Sequence, residues 1–175
     1  GCMKRILVLS MVTCMLLSFA VMAVAEEAAP PAPKPATNVG DTVAPWTGQD
    51  IANNAKVSSD SLKGKRYAMV FVNASCAACR GELSDLVKMK FTNMPIFVVA
   101  VDAKPDRALT IYKDLLKIPY PVVEDSKQVI SGLFDFYYTP ASVIVDGSGK
   151  VEFRFGGYSP KVKAEIMSAF EKYAD

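Results

Sequence analysis

The chain of 175 residues contains no histidine. Without imidazole there is no histidine general base, and a c-type haem has no anchor. That attachment needs Cys-x-x-Cys-His, and Arg80 stands where the histidine belongs. Cysteine is also scarce, with four in all: Cys2, Cys14, Cys76 and Cys79. A net charge of one sign is missing too. Lys plus Arg total 20 and Asp plus Glu total 18. The surplus is Lys4 and Arg5 in residues 1–25, which hold no acid, so the rest of the chain balances at 18 against 18. A neutral domain has no long-range attraction for a polyanion, which excludes nucleic acid as the expected partner. What is plentiful is apolar surface, at 51% of residues, in a chain of one-domain length.

The N-terminus has the pattern of an export leader. Met3-Lys4-Arg5 makes a positive start, Ile6 to Val24 is almost wholly apolar, and Ala23-Val24-Ala25 is an A-x-A cleavage site followed by Glu26-Glu27. Met3 is taken as the initiator, with Gly1-Cys2 before it. The expectation is a signal peptide over 1–25, cut after Ala25. The competing expectation is an uncleaved anchor, since the apolar run approaches the roughly 20 residues that span a bilayer. Residues 26–38, including "AAPPAPKPAT", form a Pro/Ala linker, either a plain leader or a tether holding the domain off a membrane. A domain over 39–175 follows. With the leader removed, only Cys76 and Cys79 remain.

Strands and helices alternate along that domain. Residues 43–60 suggest a short hairpin. "YAMVFVN" (67–73) and "PIFVVAV" (95–101) are continuous apolar runs, suited to strands buried on both faces. A helix is expected from about Ala77 to Lys90, with Leu83, Leu86, Val87 and the stem of Lys90 on one face. Pro105 opens a second helix with the stripe Ala108, Ile111, Tyr112 and Leu115. A short strand over 120–125 and a short helix over 126–134 come next. "ASVIVD" (141–146) and "KVEFRF" (150–155) pair across Gly147-Ser148-Gly149. A final helix starts with Ser159 as N-cap and Pro160 at its first position, carrying Val162, Ile166, Phe170 and Tyr173 inward. Helical crossovers imply parallel strands and the hairpin adds an antiparallel edge, so the fold class is α/β with a central mixed β-sheet.

Chemistry concentrates in "VNASCAACRGEL" (72–83). Two cysteines cannot assemble the roughly four Cys or His ligands of a zinc site, so no metal or other cofactor is expected. As a structural staple the pair closes a very small loop and removes little unfolded-state entropy. Thiol exchange accounts for its placement instead. Cys76 ends a strand and opens a helix, where free N–H groups and the helix dipole favour a thiolate. Such a thiolate attacks a disulfide, and Cys79, nearly one turn later, resolves the mixed disulfide. Arg80 is either an aid to the thiolate or a solvated helix charge. Glu82 lies about 60° from Cys79 around the helix, at about 100° per residue. It is either a half-buried carboxylate that exchanges a proton with Cys79 or a solvated surface residue. Thr139-Pro140 precedes a strand; the proline either starts that strand or forms a cis bond beside the cysteines. Tyr137 and Tyr138 are either groove wall or plain core.

Taken together, these residues resemble the thioredoxin superfamily, and within it the extracytoplasmic TlpA/ResA-like thiol–disulfide oxidoreductases, which share an N-terminal extension with the peroxiredoxin-like (AhpC/TSA) group. "VGDTVAPW" looks like that family's opening. "LKGKRYAMVFVNASCAACRGEL" looks like its strand, Cys-x-x-Cys and trailing Glu, and "TP" before the "xxxxDxxGxV" hairpin follows in order. The resemblance implies a thioredoxin-like fold with an N-terminal extension over 39–173. It makes Cys76 the attacking and Cys79 the resolving cysteine, Glu82 the active-site acid, and Pro140 a cis-proline facing the pair. Thr139, Ser75 and Tyr138 are then the substrate-side candidates. Three positions depart from the pattern. Ser75 replaces a usual Trp, Ala77-Ala78 lacks a frequent proline, and Val70 stands where thioredoxins proper carry a buried Asp.

The expected function is thus an exported, periplasmic or otherwise extracytoplasmic enzyme, monomeric, soluble or tethered through its N-terminal segment. It exchanges disulfides with exported proteins, in the reducing direction by likeness to cytochrome c maturation, and draws electrons from a membrane thiol donor. Two rivals stand beside it: a peroxiredoxin-like peroxidase, and a redox-inert binding module with a permanent disulfide. Peroxiredoxins place a Thr three residues before the reactive cysteine, whereas Asn73 holds that place here.

Overall fold

The computed structural model describes residues 32–102 and 104–175. The predicted leader, its cleavage site, Cys2, Cys14 and residues 26–31 of the Pro/Ala linker lie outside them. Among the described residues seven strands form two sheets. β1 (Thr47–Gln49) and β2 (Lys56–Ser58) make a small antiparallel hairpin. β3 (Tyr67–Val72), β4 (Ile96–Ala100), β5 (Val122–Glu124), β6 (Ala141–Val145) and β7 (Val151–Gly156) form a mixed sheet in the order β5-β4-β3-β6-β7. β3, β4 and β5 run parallel, β6 runs antiparallel to β3, and β7 runs antiparallel to β6. The helices are α1 (Ala77–Leu86), α2 (Pro105–Ala108, continued by a π-helix Leu109–Leu115), α3 (Val129–Gly132) and α4 (Pro160–Glu171).

The central place of β3 explains its uninterrupted apolar sequence. Successive strand residues point to opposite faces. Ala68, Val70 and Val72 face Leu83, Leu86, Tyr112 and Phe170. Tyr67, Met69 and Phe71 face Trp46, Phe97, Phe134 and Phe136. All six β3 residues are buried. A fully buried side chain of this kind contributes roughly 1.5–3 kcal/mol, so β3 is held from both sides and gives the chain after it a rigid base.

Several boundaries differ from expectation. The first helix ends at Leu86, not near Lys90. Lys88 and Met89 donate to Asp85 and Leu86 as tighter turns, which leaves Val87 and Lys90 exposed. Leu115, expected in the core, is 66% exposed. The cause is the π-helix: Leu116 N–H donates to Ile111 C=O, five residues back. That widened turn carries Leu116 against the core in place of Leu115. Ser159 is at the N-cap of α4, but its hydroxyl makes no capping bond; its carbonyl accepts from Val162 and Lys163 instead, at 3.1 and 2.9 Å. Nor does the folded part wait for Val39. Ala36, assigned to the linker, is buried; its N–H donates to Leu133 C=O (2.7 Å) and its carbonyl accepts from Arg154 (2.9 Å).

Topology places the site. The C-terminal end of β3 lies beside the N-terminal end of β6, because the two strands are antiparallel neighbours, with Phe71 opposite Ala141 and Val70 opposite Ser142. The loop leaving β3 and the loop entering β6 therefore meet. One carries Cys76 and the other carries Pro140.

Candidate active site

Cys76 and Cys79 form a disulfide with their Cα atoms 5.3 Å apart. Cys76 is the N-cap of α1 in extended conformation, and its Sγ accepts the Cys79 N–H at 3.0 Å. A sulfur in this position takes up one of the helix's free donors and faces the positive end of its dipole. The two sulfurs differ in access. Cys76 is partly exposed, whereas Cys79 is wholly buried. An incoming thiolate or disulfide thus meets Cys76.

The loop before the pair is pinned by side chains from three elements. Both carboxylate oxygens of Asp102, just past β4, accept the Ala74 N–H at 3.0 Å. The Tyr112 hydroxyl donates to Asn73 C=O at 2.8 Å, and Arg80 donates to Ala74 C=O at 3.2 Å. Asn73 Oδ1 accepts from both Ser75 N–H (3.0 Å) and Ser75 Oγ (2.6 Å). Arg80 is therefore a loop clamp and not merely a solvated charge. Asp102 was not singled out from the sequence. Its only signal is a carboxylate directly after an apolar strand. Tyr112 is visible in sequence as core, and only the packed structure shows its hydroxyl at the site. Burial, with the nearby Asp102 charge, pushes the Tyr112 phenol upward, so it stays a hydrogen-bond donor.

Glu82 is fully buried. Its Oε1 accepts from Ser142 Oγ, and Oε2 has no partner among the described residues. Burial pushes its carboxyl up to about 7, and the Ser142 bond opposes that shift. Ser142 lies opposite Val70 in the sheet. Position 70 on β3 is itself apolar, and the buried carboxylate facing Ser142 comes from α1, at Glu82.

Thr139-Pro140 is a cis peptide, and Pro140 is buried with its carbonyl accepting from Gly157 N–H at 2.7 Å. Beside it opens a cleft of about 450 Å³, whose lining includes Cys76, Ser75, Thr139, Tyr137, Tyr138 and Gln128. Tyr137 and Tyr138 are 72% and 54% exposed, so they are cleft wall and not core. Tyr138 rests on Gly156: a Cβ added there would lie 2.2 Å from the ring. Among the described residues no charged side chain lines the cleft. The structure thus gathers Cys76, Ser75, Tyr138 and Thr139 around one opening, with Pro140 buried next to Thr139 and with Cys79 and Glu82 buried on α1. Among the described residues no cluster of three or more His, Cys, Asp or Glu side chains is arranged to hold a metal ion.

The profile of the AhpC/TSA family matches residues 39–154. The thiol-disulfide oxidoreductase ResA of Bacillus thuringiensis (strain Al Hakam) is 26% identical over 113 residues. The match covers 63% of this chain and 65% of that relative's length. Among solved structures, the thioredoxin domain of a thiol-disulfide oxidoreductase from Bacteroides vulgatus superposes with a TM-score of 0.65 at 21% identity, covering 79% of this chain and 99% of that one. StoA from Bacillus subtilis gives 0.58 at 19% identity, covering 73% and 96%. The mixed five-stranded sheet with flanking helices is a thioredoxin-like fold.

Proposed function

Because the chain belongs to the AhpC/TSA family, we propose that the Cys76–Cys79 pair makes it a thiol–disulfide oxidoreductase that reduces disulfides in other proteins. The observation that carries this reading is the unequal access of the two sulfurs, one open to a cleft beside Pro140 and the other sealed above a buried acid. In the reduced protein the Cys76 thiolate attacks a partner's disulfide, forming a mixed disulfide and releasing one partner thiolate. Cys79 then gives its proton to Glu82 and attacks Cys76 Sγ. The intramolecular disulfide forms and the second partner thiolate leaves. Two electrons pass to the partner, and its thiolates take up two protons.

The exchange itself draws support from Glu82. A buried acid with its carboxyl near 7 is suited to accept the Cys79 proton in the resolving step. The leader pattern of residues 1–25 supports an extracytoplasmic setting. There the partners are exported proteins bearing disulfides, and electrons come from a membrane thiol donor. The test is reduction of insulin disulfides by the purified protein, followed by capture of partners on Cys79→Ser in the native host. Reduction by wild type and none by Cys76→Ser is the expected result; equal reduction by both overturns the reading. A peroxide-consumption assay separates the peroxidase alternative, and little consumption is expected with Asn73 in place of the peroxidase threonine. A potential below about −300 mV would instead mark a permanent disulfide.

A further inference from the structure

Glu82 has a single hydrogen-bond donor among the described residues, the Ser142 hydroxyl. Ser142 is itself buried, on β6, between Val70 of β3 and Phe155 of β7. The other titratable and charged groups around Glu82 are engaged elsewhere. Cys79, one turn before it on α1, is in the disulfide. Arg80 reaches back to Ala74 C=O. Tyr158, after β7, packs near Gly81 and donates to Asp85 at 2.6 Å. Asp85 is held well below the usual carboxylate range by Lys163 of α4 and by Lys88, each at 2.6 Å. Among the described residues no cation reaches Glu82: burial and the Ser142 bond are what act on its carboxyl.

We propose that Ser142 is a positioning residue for the resolving step: its hydroxyl holds Glu82 Oε1, stabilises the carboxylate, and leaves the unpartnered Oε2 as the atom that takes the proton of Cys79. This deepens the reading of Glu82 given above and rests on it. The transfer balances within the exchange already written. The Cys79 S–H bond breaks, an O–H bond forms on Oε2, and the freed sulfur pair displaces the partner's thiolate. Glu82 later returns the proton to solvent. Without the hydroxyl, the carboxylate has no donor in a buried setting and stays protonated to higher pH. It then cannot accept a proton at neutrality.

The oxidised protein offers a direct test, because its active-site pair carries no thiols to titrate. The carboxyl carbon of Glu82, followed by NMR across pH 4–10, should titrate near 7 in wild type. Ser142→Val and Ser142→Thr are matched in volume and differ in the hydroxyl. The valine variant should titrate at least about one pH unit higher, as expected from losing a hydrogen bond to a charged group. The threonine variant should stay near wild type. In single-turnover reduction of insulin at pH 7, Ser142→Val should resolve the mixed disulfide about fivefold more slowly, the ratio of ionised Glu82 at that pH, and recover at higher pH. An unmoved titration in the valine variant overturns the role given to Ser142. A titration that moves while the resolving rate of Glu82→Gln equals wild type overturns instead the reading of Glu82 as proton acceptor. Should Ser142→Val fail to fold, Ser142→Ala supplies the same comparison with less bulk.

Discussion

The two sulfurs of the Cys76–Cys79 disulfide occupy opposite kinds of environment, although only Ala77 and Ala78 stand between them. Around Cys76 the neighbours belong to loops and strand ends: Ser75, Thr139 and the exposed Tyr137 and Tyr138, without charge in the cleft lining. Around Cys79 the neighbours belong to the core: Leu83 and Leu86 on its own helix, and Glu82 with Ser142 as an enclosed polar pair. Loop residues at a rigid rim suit encounter with a partner. An enclosed acid suits proton control, because low dielectric lets one hydrogen bond change its charge state. In the proposed exchange one disulfide therefore has a meeting side and a proton side, and each is open to separate disturbance.

The largest expected effect is at the sulfurs themselves. Cys76→Ser should abolish turnover of a protein disulfide, while Cys79→Ser should accumulate mixed disulfides visible on a non-reducing gel. Equal behaviour of the two variants would erase the distinction between the sides.

Next comes Glu82. Its folded carboxyl is raised to about 7 from an ordinary 4.5, so between those values the native state binds more protons than the unfolded state. Stability contributed by this group is present below about 4.5 and is lost as pH rises toward 7, by about 3 kcal/mol. Glu82→Gln should flatten that decline in urea unfolding measured from pH 4 to 8, and should remove the inflection near 7 from the resolving rate. A decline of the same depth in the variant would assign the pH dependence to other groups.

The meeting side breaks differently. A methyl at Gly156 would lie 2.2 Å from the Tyr138 ring, so Gly156→Ala should displace that ring at about 1–3 kcal/mol. The expected result is a higher KM for protein disulfides with the titration of Glu82 unmoved. Movement of that titration would show that the two sides are coupled. The smallest effect belongs to Tyr112→Phe, which removes one hydrogen bond to Asn73 C=O and should lower stability by about 1 kcal/mol in thermal unfolding.

Different features were legible to different degrees. The apolar run of β3, the hairpin around Gly147-Ser148-Gly149 and the start of α4 at Pro160 stand where periodicity and turn chemistry put them. Leu115 and Val87 do not. A wheel of constant pitch cannot register a π turn or an early tightening of a helix. Glu82 shows the same limit at the site. Its angle from Cys79 was readable, but whether that flank met water or protein depended on β6 and its Ser142, sixty residues away. Asp102 and Tyr112 reach the Asn73–Ala74 backbone from elements that no local pattern connects to it.

The sequence by itself determined that the chemistry rests on one Cys-x-x-Cys pair at the mouth of a helix, because no histidine and no other cysteine in the domain competes for the role. It also determined an alternating α/β chain, since period-2 and period-3.6 patterns are local properties. Only the tertiary structure decided which sulfur is open, that Thr139-Pro140 is cis beside it, and that Glu82 is a buried acid held by Ser142. Those outcomes depend on burial and on contacts between distant strands. Desolvation, which sets the charge of Glu82, exists only once the sheet and helix have closed over it.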